Sequence, residues 1–178
     1  MKKIGWKVIP ITLFLLLCVF LWRGLSLNPH ELPSVQLGKS LPHFNLPELH
    51  HPNSFFSSTQ LYGQVVLLNV WASWCAACVD EQVFMLQLAR EGVPIYGLNY
   101  KDKSYDALRW LKQWGNPYKR VIQDQDGKVA IDLGVYGAPE TFVIDKKGII
   151  RYRHAGIMTQ EMWLKEISPL MKQLEQTS

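Results

Sequence analysis

Residues 64–71, Gln-Val-Val-Leu-Leu-Asn-Val-Trp, form a near-continuous apolar and β-branched run that stops just short of Cys75-Ala76-Ala77-Cys78. A run of this kind suits a central strand buried on both faces, which requires packed layers above and below it. From Cys78 to Arg90 the apolar residues Val83, Phe84, Leu86, Leu88 and Ala89 suit a helix that Gly92 and Pro94 end. The chain is therefore constrained to a buried strand that runs into a helix, with two cysteines at the junction.

The other elements follow from the same patterning. "HFNLPEL" reads as a short strand, His50-His51-Pro52-Asn53 as a solvated turn, and 94–100 as a second central strand. "SYDALRWLKQWG" predicts a helix capped by Ser104 and stopped by Gly115, with Tyr105, Leu108, Leu111 and Trp114 on its packed face. After a turn at Asp126-Gly127 come a short helix around 129–133 and the strands "TFVID" and "IIRYRH", which Lys146-Lys147-Gly148 joins as a hairpin. A last helix from Thr159 to about Gln176 buries Met162, Trp163, Ile167 and Leu170, and Pro169 is placed to kink it. This order describes an α/β fold: a central mixed sheet with parallel inner strands and an antiparallel edge hairpin, covered by helices.

The formal charge of +4 does not point to nucleic acid. Lys2, Lys3, Lys7 and Arg23 flank the first apolar segment, and from residue 24 onward 15 basic residues balance 15 acidic ones. Between Lys7 and Arg23 lie fifteen residues without a charge. A cleaved signal peptide and a retained anchor compete for this segment. Arg23 separates the apolar run from the small-x-small triplet Gly24-Leu25-Ser26, where cleavage regions are normally uncharged, which favours the anchor. Three lysines before the run against one arginine after it place the N-terminus in the cytoplasm. The expected organisation is a cytoplasmic N-terminus (1–7), a single-pass transmembrane anchor (8–25), a proline-bearing linker (26–40) and an exported domain (41–178). Cys18, within the apolar run, reads as a spectator.

Only Cys75 and Cys78 remain in the exported part, so they can pair only with each other. A two-residue gap closes almost no loop and contributes little to stability. A zinc site needs about four ligands, and after this motif no Cys or His occurs until His154. A strand running into a helix at C-x-x-C instead puts Cys75 at the helix N-terminus, where free amides and the helix dipole favour the thiolate. Cys75 then reads as the exposed attacking sulfur and Cys78, one turn deeper, as the resolving one. Trp74, next to the thiol, reads as part of the contact surface.

"VVLLNVWASWCAAC" resembles the active-site strand and turn of the thioredoxin superfamily, and "GVYGAPETFVID" resembles the segment that carries its cis-proline. More narrowly, the anchor, "NYKD", "NPY", "DLGVYGAPETF" and "GIIRYRHAG" are similar to the membrane-anchored CcmG/DsbE thioredoxins of bacterial cytochrome c maturation. The resemblance implies a thioredoxin-like fold with a cis Ala138-Pro139 bond opposite Cys75. It implies substrate contacts at Trp74, Tyr136 and Ala138. Glu81 and Glu140 match two glutamates that make the family's site acidic. Thioredoxin's buried aspartate is replaced by Asn69, which leaves Glu81 to accept a proton from Cys78. Where the family usually reads Cys-Pro-x-Cys, this chain has Ala76 and Ala77.

The function so implied is a thiol-disulfide oxidoreductase in the bacterial inner membrane, with its C-terminal domain in the periplasm. It would reduce the disulfide of an apocytochrome c, or of a maturation partner, and be recharged by a membrane thiol transporter of the DsbD/CcdA type. No cofactor beyond the redox-active Cys75-Cys78 disulfide is expected. Two rivals are a general periplasmic disulfide reductase or oxidant, and a non-catalytic module that binds apocytochrome or haem.

Overall fold

The computed structural model describes residues 5–25 and 36–177 of the chain, which divides into two units, Met1–Pro33 and Ser34–Ser178. In the first, helix α1 (Gly5–Leu25) carries exposed apolar side chains such as Phe14 and Phe20, and Cys18 is free and exposed. Among the described residues no helix is long and apolar enough to cross a membrane. The fifteen charge-free residues cover about 22 Å at 1.5 Å per residue, against a hydrocarbon core of about 30 Å. Residues 1–4 of the expected cytoplasmic end and 26–35 of the expected linker lie outside the described residues.

The second unit is built on β3 (Val66–Trp71), whose six residues are all buried. It pairs in parallel with β4 (Ile95–Tyr100), which pairs in parallel with β5 (Val121–Asp124). On its other side β3 pairs antiparallel with β6 (Glu140–Ile144), and β6 with β7 (Ile150–Ala155), giving the order β5-β4-β3-β6-β7. The expected mixed sheet is present.

Strand alternation sends Leu67 and Trp71 to one face, which packs against α2 (Ala76–Arg90), α3 (Ser104–Trp114) and the C-terminal helix. Val66, Leu68 and Val70 face the other way, onto α4 (Lys128–Asp132), a 3-10 turn and a hairpin of β1 (Asn45–Pro47) and β2 (Phe55–Ser57). Helices thus cover both faces, but unequally.

The patterning missed β2 and β5. Half of β5 is polar, although Gln123 and Asp124 are buried, because the Asp124 carboxylate accepts from the amides of Val129 and Ala130 at the start of α4. Two helix faces also differ from expectation. In α2 the buried side is Cys78, Glu81, Gln82, Met85 and Leu88, and Val83 is 75% exposed. In α3 it is Ala107, Trp110 and Leu111, and Tyr105, Leu108 and Trp114 are exposed; Trp110 turns inward to lie 4.9 Å from the Trp71 ring. Lys103, not Ser104, is the cap of α3, and the Ser104 hydroxyl accepts from Gln123 Nε2.

The C-terminal helix begins as α5 (Gln160–Met162), widens to a π turn over Trp163–Ile167 and resumes as α6 (Ser168–Gln176). The wide turn ends two residues before Pro169, which has no N–H to continue the α pattern. The packed residues are Trp163, Ile167 and Met171, with Met162 and Leu170 only partly buried.

The sheet's edges are covered by the segment that leads into the domain. Gly38 N donates to Ile150 O, Leu41 N to Gly148 O, and Ile150 N to Lys39 O, along the start of β7. Further on, Leu49 N donates to Val121 O on β5, and Glu48 forms an ion pair with Arg120. Residues 36–40, expected to close the linker, thus already bond to the domain.

Candidate active site

At the C-terminal end of β3 the chain turns through Ala72-Ser73-Trp74 into α2. Cys75 is the N-cap of that helix, and its Sγ accepts from the Cys78 amide at 3.1 Å. Cys75 and Cys78 form a disulfide, with their Cα atoms 5.4 Å apart. With the disulfide formed, Cys75 is only 5% exposed, against 1% for Cys78, so the sulfur expected to be exposed is covered. Trp74 beside it is 55% exposed.

The turn is held from β4's end. Asp102 is buried and accepts from Ser73 N (2.5 Å), Ser73 Oγ (2.7 Å), Asn99 Nδ2 (3.0 Å) and Lys103 N (2.8 Å). Trp74 Nε1 donates to Lys101 O at 3.0 Å, and its ring lies 6.2 Å from that of Tyr100. In the sequence Asp102 stands only as the last residue of "NYKD"; its place two residues after a buried strand is the signal available for it.

The antiparallel register brings the start of β6 to the same end of the sheet, with Glu140 opposite Val70. The Ala138-Pro139 bond is cis. Pro139 is buried, and Ala138 packs on the core cluster that contains both cysteines. Tyr136 is 60% exposed. The structure thus assembles Cys75, Cys78, Trp74, Ala138 and Pro139 at one end of the sheet.

The two glutamates occupy different surroundings. Glu140 is no free acidic charge: its Oε2 accepts from Arg153 Nε at 2.8 Å, and its Oε1 from Tyr136 N at 3.1 Å. Arg153 also donates to Gly134 O and lies over the rings of Tyr136 and Phe142. Apolar patterning does not mark Arg153; strand alternation in "IIRYRH", which sets it opposite Phe142, is the sequence signal for it.

Glu81 is buried, and among the described residues no cation pairs with it. Its Oε1 accepts from Asn69 Nδ2 (2.9 Å) and its Oε2 from Met158 N (2.8 Å). Burial pushes its carboxyl up to about 7 against these two bonds, from an ordinary 4.5. Cys78 lies three residues earlier on the same buried helix face.

A carboxyl raised in the folded state binds a proton there that the unfolded chain has already released. Between pH 4.5 and 7 stability therefore falls as pH rises, by about 3 kcal/mol in all. We expect Glu81→Gln to lose this slope, so that urea midpoints of mutant and wild type, both oxidised, converge or cross on going from pH 5 to pH 8. A constant gap across that range would place the ionisation elsewhere.

Among the described residues no group of three or more His, Cys, Asp or Glu is placed to hold a metal ion. What the site can do is exchange a disulfide: a sulfur at a helix N-terminus, a second sulfur one turn on, and a buried carboxyl on the same helix face.

The Redoxin family model matches residues 36–174. The thiol:disulfide interchange protein DsbE of Pseudomonas aeruginosa is 46% identical over 167 residues, covering 94% of this chain and 93% of its own length. The chain belongs to the DsbE family. The Escherichia coli K12 DsbE is likewise 46% identical over 169 residues, covering 92% of this chain and 91% of its own. Among solved structures, a Chlorobium tepidum protein described as a DsbE matches with a TM-score of 0.65 at 29% identity, covering 77% of this chain and 97% of its own. A secreted thiol-disulfide isomerase from Corynebacterium glutamicum matches with a TM-score of 0.64 at 26% identity, covering 74% and 85% respectively. This DsbE family member has the thioredoxin-like fold and is a thiol-disulfide oxidoreductase.

Proposed function

We propose that this DsbE family member is a periplasm-facing reductant. It opens the disulfide in the haem-binding CxxCH motif of an apocytochrome c, or of a protein that handles it during cytochrome c maturation. The observation that carries the reading is the Cys75–Cys78 disulfide at the N-terminus of α2 with the buried Glu81 carboxyl on the same helix face. In the reduced protein the Cys75 thiolate attacks one substrate sulfur, forming a mixed disulfide and releasing the other substrate sulfur as a thiolate. Cys78 gives its proton to Glu81 and attacks Cys75 Sγ, the second substrate sulfur leaves, and two electrons have passed to the substrate.

Trp74, Tyr136 and Ala138 supply the surface on which the substrate chain lies, and Pro139 and Glu140 shape its edge. No cofactor is required beyond the disulfide. A membrane thiol transporter of the DsbD/CcdA type then reduces Cys75–Cys78. On this reading α1 is an uncleaved inner-membrane anchor: its 21 residues together reach about 31 Å, although the charge-free stretch within it is shorter.

Trapping with Cys78→Ser in the full chain tests the proposal. We expect a mixed disulfide with an apocytochrome or a maturation protein, recovered from the membrane fraction. A broad set of unrelated envelope proteins would instead support a general disulfide reductase, and recovery only from the soluble periplasm would overturn the anchor.

A further inference from the structure

Behind Glu81 the structure holds a line of hydrogen bonds that the exchange chemistry leaves unexplained. Asn69 is fully buried, and both hydrogens and the oxygen of its amide are engaged. Nδ2 donates to Glu81 Oε1 at 2.9 Å and to Thr141 Oγ1 at 3.0 Å, while Oδ1 accepts from the Tyr118 hydroxyl at 2.8 Å. The line thus runs in one direction, from Tyr118 O–H to the amide and from the amide to the carboxylate. Donors arranged in series polarise one another, so each strengthens the next.

Tyr118 is held in this position by the core. Its ring stacks on that of Trp71 at 5.5 Å and 19°. Gly97, paired with Asn69 across β3 and β4, leaves the space: a Cβ there would stand 2.8 Å from Trp71 Nε1 and 2.9 Å from the Tyr118 ring. Burial and the neighbouring Glu81 raise the Tyr118 phenol well above its ordinary value, so it stays protonated and remains a donor.

We infer that Tyr118 is a positioning residue for the proton transfer at Cys78, acting through Asn69 to hold a donor on the Glu81 carboxylate. The inference rests on the reading of Glu81 as proton acceptor. The groups facing Glu81 are Cys78 on its own helix, Asn69 from β3, Tyr118 beyond it from the loop before β5, and the Met158 amide; Thr141 of β6 shares the Asn69 amide. Of these only Tyr118 and, once the disulfide is reduced, Cys78 carry an ionisable proton. Without the phenol O–H, Asn69 Oδ1 is a buried acceptor with no donor, and the amide binds the ionised carboxyl less firmly.

The test is the pH dependence of the Cys75–Cys78 reduction potential in the full chain, with Glu81→Gln used to identify the inflection that belongs to Glu81. Tyr118→Phe keeps the stacked ring and is expected to move that inflection upward by roughly half a unit. Asn69→Ala cuts the same line one residue further on and is expected to move it at least as far. Adding Tyr118→Phe to Asn69→Ala should move it no further. An inflection that does not rise in Tyr118→Phe, or that rises equally in the Asn69→Ala background, overturns the inference and leaves the role of Glu81 standing. An inflection that survives Glu81→Gln overturns both.

Discussion

Replacing Cys75 with serine is expected to lower the rate of disulfide reduction by at least roughly a thousandfold, with the fold unchanged. Exchange proceeds through a thiolate, and a serine hydroxyl is not ionised at neutral pH even with a helix N-terminus behind it. The site also admits no substitute. Cys78 is the only other cysteine in the domain, it is 1% exposed, and its place is one turn inside the helix. Stopped-flow reduction of a disulfide-bonded peptide by the reduced protein measures the loss, and circular dichroism checks that Cys75→Ser folds. Reduction at more than about a hundredth of the wild-type rate would mean that Cys78 can make the first attack, and would remove the division of labour between the two sulfurs.

Arg153→Met is expected to cost about 3–5 kcal/mol at neutral pH, the range for a buried charge that loses its partner. The Arg153 side chain is 9% exposed and that of Glu140 1%, so water cannot replace the missing guanidinium. The damage should fall on the 134–140 segment, because Arg153 also donates to Gly134 O and the Glu140 carboxylate holds the Tyr136 amide. Urea unfolding of Arg153→Met, Glu140→Gln and the double mutant measures it. The double mutant should be more stable than Arg153→Met alone, since it no longer buries an unpaired carboxylate. If the two single mutations simply add, the pair is not coupled and the segment is held by other contacts.

The sequence disclosed the parts of the site that are local. Cys75 and Cys78 sit where a buried strand meets a helix, and the hairpin that carries Pro139 and Glu140 follows from Lys146-Lys147-Gly148 between two apolar strands. It did not disclose partners assigned by register. Glu140 looked like a source of negative charge, and only the pairing of β6 with β7 brings Arg153 onto it. Nor did apolar patterning find the packed sides of α2 and α3. Glu81 and Gln82 are buried because other elements satisfy them: Asn69 and the Met158 amide for the first, the Gly115 carbonyl for the second. Likewise β5 hides behind Asp124, a polar residue whose cost of burial is met by the start of α4.

The segment that leads into the domain also sets an order on its assembly. Residues 38–41 hydrogen-bond with residues 148–150 of the closing hairpin, and Leu49 with Val121, so the first residues of the domain find their partners only after most of the chain has been made. Contacts this distant in sequence form late, because a long loop must close before they gain anything. Until then the sheet offers unpaired strand edges to any neighbouring chain. Its leading segment is therefore both the first part to be synthesised and the last seal against aggregation.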